Sequence, residues 1–276
     1  MNFDAQMRRQ FKRQARENIQ RRKWSAMLAV LLVVIPALLL TSIYQIEMGQ
    51  FTPLLQNDSL EMSKMYTALR GVYKVLGLYL LASILVLEPL KFGMKHYMVA
   101  RARGQYENVG IVMCCFSSIR KYITAVTIGL SIFVRSIGWY ILLSIAVGVL
   151  LTASIAVPVS AVVCMPLMIV VTIHVALKIR RYDGAYICMI NVPDGSAWRA
   201  TGACAAIFDG HLWELFCFDL SFILWYLFGI VTLGIGMLYT EAYHETAFVN
   251  YFDARTAEHA KKLREQEPKT PDVPQE

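Results

Sequence analysis

Residues 24–46 read WSAMLAVLLVVIPALLLTSIYQI, from Trp24 to Ile46, without one charged side chain. About 20 apolar residues in a helix cross the roughly 30 Å hydrocarbon core of a bilayer. Inside that core each backbone amide must find a partner within its own segment, which a helix provides. The stretch therefore predicts a membrane-spanning helix. A secretory signal does not fit: the basic region ahead is too long, the apolar run is too long, and no A-x-A pattern follows.

The rest of the chain repeats this pattern. Hydrophobic residues make up 57 % of it and charged residues 17 %, where soluble domains carry roughly 45–50 % and about 25 %. A water-soluble chain this apolar would expose greasy patches that monomers rarely carry. The formal net charge is +7, and the basic residues flank apolar runs instead of forming a face on a polar domain. That excludes nucleic acid as the expected partner. It leaves membrane lipids, with another membrane protein or a second copy of the chain as further candidates.

A second apolar run extends from about Val72 to Leu90 and ends in Glu88-Pro89, followed by Lys91, Lys95, Arg101 and Arg103. Pro89 is placed to kink this helix or to end its membrane part. From Tyr122 to Arg181 the chain is apolar, interrupted by Arg135, Pro158, Pro166, His174 and Lys178. Two helices turning near 157–160 keep Lys178, Arg180 and Arg181 on the side of the other basic flanks. Three helices would place them opposite. The last long run is Leu212 to Tyr239, where Gly229, Gly234 and Gly236 let helices approach closely in lipid.

The expected fold is an all-α, polytopic transmembrane helical bundle with amphipathic interfacial helices. Its spans lie near 24–46, 70–98, 130–157, 160–181 and 212–239, within a membrane domain of residues 24–240. Five spans separate the two termini across the bilayer, and a hairpin inside 212–250 would make six and bring the C-terminus back. The positive-inside rule gives a multi-pass protein of the cytoplasmic membrane with a cytoplasmic N-terminus. The acids Glu47, Asp58 and Glu61 put the loop 47–65 on the other side.

Residues 1–23 form a basic amphipathic helix, with Phe3, Met7, Phe11, Ala15 and Ile19 recurring every fourth position and an expected place on the membrane surface. Residues 196–208 form a short interfacial helix capped by Ser196, with Trp198, Ala205 and Phe208 on one face. Residues 241–266 read as a polar, amphipathic helix, and 267–276, rich in proline and charge, as a disordered tail.

Charges inside spans cost at least about 2.5–3.5 kcal/mol at the bilayer centre, which singles out Glu88, Arg135, His174, Glu214 and Asp219. A pairing of Arg135 with Asp219 or Glu88 would neutralise both and build a polar pocket open to the cytoplasm. The plainer reading puts each at headgroup level. The metalloprotease, P-loop, Rossmann and Gly-x-Ser-x-Gly patterns are missing, so no enzyme, catalytic residue, cofactor or metal is expected. Cys114, Cys115, Cys164, Cys188, Cys204 and Cys217 lack zinc spacing and read as packing residues.

Several segments in order resemble a family. They are Ala15-Arg16 with Trp24, Pro89-Leu-Lys-Phe-Gly93 with Tyr97 and Arg101-Ala-Arg-Gly104, and Asp209-Gly-His-Leu-Trp-Glu-Leu-Phe216. Leu220-Ser-Phe-Ile-Leu-Trp225, Thr232-Leu-Gly-Ile-Gly236 and Ala247-Phe-x-x-Tyr251 complete the set. Together they resemble an uncharacterised bacterial polytopic membrane family, domain of unknown function 975. The match departs after Gly236, where Glu241-Ala-Tyr243 stands in place of a Pro-Tyr. The resemblance implies a cytoplasmic-membrane protein and transfers no activity. The expected function is that of a non-enzymatic membrane protein acting through a partner, a lipid or a bound ligand. The alternative is a small transporter with a polar intramembrane pocket.

Overall fold

The computed structural model describes residues 5–51, 62–156 and 161–266. Among these, all repeating structure is helical: α1 (Ala5–Gln20), α2 (Lys23–Gly49), α3 (Met62–Ala82), α4 (Glu88–Ala102), α5 (Ile119–Ala156) and α6 (Ala161–Arg180). Then follow α7 (Gly184–Asn191), α8 (Ala197–Ile207), α9 (Leu212–Leu220), α10 (Ile223–Val231) and α11 (Ile235–Gln266). A tight-wound segment, Val109–Ser117, joins α4 to α5. Five helical stretches are long and apolar enough to cross a membrane: Lys23–Gly49, Met65–Ala102, Ile119–Ala156, Ala161–Asn191 and Leu212–Val231. The all-α, membrane-spanning expectation holds.

Burial is divided along the helices, not around them. Helix α2 buries Ala26, Ala29, Val30 and Val33 at its start and exposes Leu38, Leu39, Ile43 and Ile46 further on. Helix α5 buries Ala125, Ile128 and Ser131 and exposes Ile145, Val149 and Ile155. The stretch Ala161–Asn191 does the reverse: it exposes Val162, Val163 and Met165, with Cys164 buried between them, and buries Val175, Tyr182, Ala185, Ile187 and Met189 further on. Each helix thus has one end in a packed head and the other in an apolar leg. In water such legs would be untenable, whereas lipid solvates them.

The legs come in pairs: α2 with α3, α5 with α6, and α10 with α11. The second pair confirms two helices over Tyr122–Arg181. Their expected turn at 157–160 lies outside the described residues, as do the loop residues Pro53, Asn57, Asp58, Ser59 and Glu61 and the tail from 267. Helix α5 starts at Ile119, ahead of the expected span, and runs unbroken past Arg135.

The third pair is a hairpin inside 212–250, as the alternative had it, but its outgoing arm of nine residues is too short to add a sixth crossing, and the stretches long enough to cross remain five among the described residues. Its turn is Thr232-Leu233-Gly234, with φ of 52° at Leu233 and 88° at Gly234. The left-handed region costs an L-residue roughly 1–2 kcal/mol, and glycine removes that cost at 234. The arms approach so closely that a Cβ on Gly236 would sit 3.1 Å from the Gly229 Cα, the small-residue packing the sequence suggested. Helix α11 continues from this arm to Gln266 without a boundary at 240/241. It brings the C-terminal helix back against α1, so the two termini share a side.

The head is built on α11, which buries Ala247, Phe248, Val249, Tyr251 and Phe252. Its rings meet Phe208 and Phe218, and Phe218 stacks on Tyr251 with centroids 5.0 Å apart. Fully burying one such side chain is worth about 1.5–3 kcal/mol. The apolar stripe of α1 belongs to this core: Phe11, Ala15 and Ile19 are buried against it. That corrects the expectation of a helix lying on the membrane surface, because α11 and α4 occupy the face that lipid would have taken. Lys12 anchors α1 further, donating to the Ser221 carbonyl at 2.6 Å.

The α8 helix forms where expected, but its buried face is Thr201, Cys204 and Ile207, continued by Phe208, with Trp198 left exposed. Ser196 stands at the N-cap without a capping side-chain bond.

Candidate functional site

Glu88, Lys91 and Lys95 fall at i, i+3 and i+7 on α4, one face of the helix. Glu241, His244 and Glu245 do the same at i, i+3 and i+4 on α11. Helices α4 and α11 pack together, so these two faces meet at the junction of head and legs. The end of α6 adds Arg180, the following turn Asp183, α7 Tyr186, α9 Asp219 and α10 Tyr226.

The result is a connected network. Lys95 and Glu245 pair deep in the protein, each almost fully buried. Arg180 pairs with Asp183, lies 3.7 Å from Glu245 and 3.7 Å from Asp219, and covers the Phe248 ring at 4.6 Å. The His244 Nε2 stands 2.8 Å from the second Asp219 oxygen. Glu88 accepts from Lys91 at 2.8 Å and from the Tyr186 hydroxyl. Glu241 accepts from the Tyr226 hydroxyl at 3.0 Å. Charges this buried are sustained only by mutual pairing, since desolvation costs several kcal/mol per ion.

The network forms the floor of a cavity of about 960 Å³. Lys91, Lys95, Arg180, Asp183, Glu241, His244 and Glu245 line its charged end. Val30, Val33, Val34 and Leu38 of α2 line one apolar wall, and Leu233, Ile235, Met237 and Leu238 of the third hairpin the other. The cavity therefore runs from charge in the head to hydrocarbon between the legs.

Of the residues singled out from sequence, Glu88 and Asp219 join this network and three do not. Arg135 lies on the part of α5 that packs against α8, with its guanidinium 4.0 Å over the Trp198 ring and donating to the Trp198 carbonyl at 3.2 Å. The expected pairing of Arg135 with Asp219 or Glu88 is thus replaced: an aromatic face holds the cation, while Arg180 and His244 reach Asp219. His174 is exposed on α6, two turns before Arg180. Glu214 faces elsewhere in the head, paired with Arg255 and 3.5 Å from His211.

Sequence reasoning missed Lys95, Arg180, Glu241, His244 and Glu245. In the sequence Lys95 and Arg180 look like flanking cations that fix orientation, and residues 241–266 like a polar, amphipathic helix beyond the last span. The i, i+3, i+4 spacing of Glu241, His244 and Glu245 behind an apolar run was the available signal.

Outside this site, Cys114 is 4.0 Å from the His96 ring, beside a cavity of about 370 Å³. The Cys188 and Cys204 sulfurs are 3.8 Å apart. Among the described residues no three His, Cys, Asp or Glu side chains converge as a metal site.

Comparison with known families matches residues 1–259 to the family described as "Protein of unknown function (DUF975)". No curated protein and no solved structure matches.

Proposed function

From the premise that the chain belongs to the DUF975 family, we propose that it is a non-enzymatic membrane protein that binds a ligand drawn from the membrane into the chamber between α2, α4 and the third hairpin. The observation that carries this reading is the chamber's polarity: charged floor, apolar walls, and an axis leading from head to legs. An amphipathic molecule matches both ends, and a purely polar or purely apolar one matches only one.

The basic residues of α1, Arg8, Arg9, Lys12, Arg13 and Arg16, lie at the head side of the molecule. They support a cytoplasmic head and a cytoplasmic N-terminus in the cell membrane. The acids of the network are held by cations, hydroxyls or the His244 ring, which supports a charged floor built to bind. The exposed legs leave room for another membrane protein or a second copy.

The test is lipid dependence. Protein purified and delipidated in mild detergent should lose thermal stability and regain it on adding back extracted membrane lipids, with the gain abolished when Leu38→Trp fills the chamber. Unchanged stability through delipidation would sink the reading. A solute flux in proteoliposomes that depends on Arg180 would replace it with the transporter alternative.

A further inference from the structure

The chamber's charges balance in number but not in pairing. Three carboxylates (Asp183, Glu241, Glu245) and three fixed cations (Lys91, Lys95, Arg180) line it, and Asp183 and Glu245 take up Arg180 and Lys95. Within this network, Glu241 is the acid that no cationic nitrogen reaches within 4.0 Å. Its contact is the neutral Tyr226 hydroxyl, and its side chain lines the cavity. On the same floor the Arg180 Nη2 is buried without a hydrogen-bond partner among the described residues. The Arg180 side chain nevertheless lines the cavity and keeps part of its surface open, where an oxyanion can approach the guanidinium. The floor therefore presents a carboxylate without a close cation at Glu241 and, at Lys91 and Arg180, cationic side chains that line the cavity.

From this we infer that the ligand is a phospholipid whose headgroup carries both a phosphate and a primary ammonium, a phosphoethanolamine lipid. The phosphate meets Arg180 and the half-exposed Lys91, the ammonium meets Glu241, and the acyl chains lie along the α2 wall and the hairpin. The hairpin suits this arrangement because its outgoing arm is short. Its nine residues rise about 13 Å, under half of the roughly 30 Å core, and leave space beyond the turn for the chains. A primary ammonium is favoured over a methylated one, since a carboxylate in a poorly hydrated site gains most from N–H donors. The inference rests on the proposed ligand site and sharpens it.

The experiment is headgroup competition on the full chain. Delipidated protein is reconstituted with phosphatidylethanolamine, phosphatidylcholine or phosphatidylglycerol of identical acyl chains, and with soluble phosphoethanolamine. Retained lipid is counted by native mass spectrometry and stability is followed by thermal melting. The expected result is one retained phosphatidylethanolamine, held about ten-fold more tightly than either other lipid, with no effect of soluble phosphoethanolamine. In Glu241→Gln that preference should collapse to within about two-fold, while Asp253→Asn, in an exposed pair outside the chamber, should keep it. Equal retention of all three lipids by the wild type would overturn the headgroup assignment and leave the broader reading standing. Stabilisation by soluble phosphoethanolamine equal to that by the lipid would assign the site to a soluble ligand. Retention of no lipid at all would remove both readings. The wild-type comparison needs no variant, so a Glu241→Gln protein that fails to fold leaves the outcome decidable.

Discussion

The hydroxyl of Tyr122, in the first turn of α5, donates to the backbone carbonyl of Leu85 at 2.8 Å. In an α-helix that carbonyl would accept from the amide of residue 89, and residue 89 is proline. One wide turn, Ser83–Leu87, in which the Glu88 amide bonds the Ser83 carbonyl, absorbs the missing bond. A tyrosine from the neighbouring helix supplies the donor that the chain cannot. The same distortion sets the start of α4 and with it Glu88 and Lys91. Replacing Tyr122 by Phe should cost about 1–2 kcal/mol and lower the melting midpoint in detergent. A Tyr122→Phe protein as stable as wild type would mean that the carbonyl finds another donor at no cost.

Glu245 and Lys95 form the most deeply buried ion pair, at 4 % and 6 % side-chain exposure. Removing one partner from such a pair leaves an uncompensated charge and costs about 3–5 kcal/mol, whereas replacing both by apolar groups is often neutral. Glu245→Gln should therefore be strongly destabilised, and Lys95→Met combined with Glu245→Leu should recover much of the loss. Additive loss in the double variant, measured by thermal melting, would show that the pair is not the energetic unit drawn here.

Gly93 lies where α4 crosses the Val109–Ser117 segment, and a Cβ there would come within 2.0 Å of the Val112 carbonyl oxygen. Backbone cannot give way as a side chain can. Gly93→Ala should cost at least about 1–3 kcal/mol, the usual range for overpacking, and lower the yield of monodisperse protein. Gly77→Ala on α3, which meets nothing within 4 Å, is the control and should be neutral or slightly stabilising, since alanine is the better helix former.

Length and hydropathy were enough to read the legs, because crossing lipid demands an uninterrupted apolar helix and leaves that demand in the sequence. The two-helix reading of Tyr122–Arg181 rested on where Arg180 and Arg181 would fall, and charge placement decided it correctly. The head was less legible. The stripe Phe11–Ala15–Ile19 is apolar either way, and periodicity does not say whether lipid or α11 covers it. The site residues Lys95 and Glu245 lie 150 positions apart in the chain, and no local pattern announces a pairing at that distance. Arg135 was singled out for its apolar surroundings, a sound reason to expect a partner. The partner is the Trp198 ring, which a search for opposite charges passes over.

Cys114 carries the clearest pH-dependent prediction. It lies in the Val109–Ser117 segment, outside the five apolar stretches. The adjacent Cys115 thiol, assisted by the His96 ring 4.0 Å away and by Lys121 and opposed by burial, lowers its pKa to about 5. The same interaction pushes Cys115 up. Because the pKa in the folded protein lies below the ordinary thiol value of about 8.5, the thiolate persists as pH falls and is lost only near 5. The thiolate is the nucleophile, so alkylation of Cys114 by iodoacetamide should remain fast at pH 6.5, where an ordinary cysteine reacts slowly. Its rate should fall through an inflection near 5. Cys115→Ala removes the first cause and should move that inflection upward, while His96→Gln should move it less. An inflection that stays in the ordinary thiol range in the wild type, read by mass spectrometry of the labelled peptide, would show that Cys115, His96 and Lys121 do not together stabilise the Cys114 thiolate.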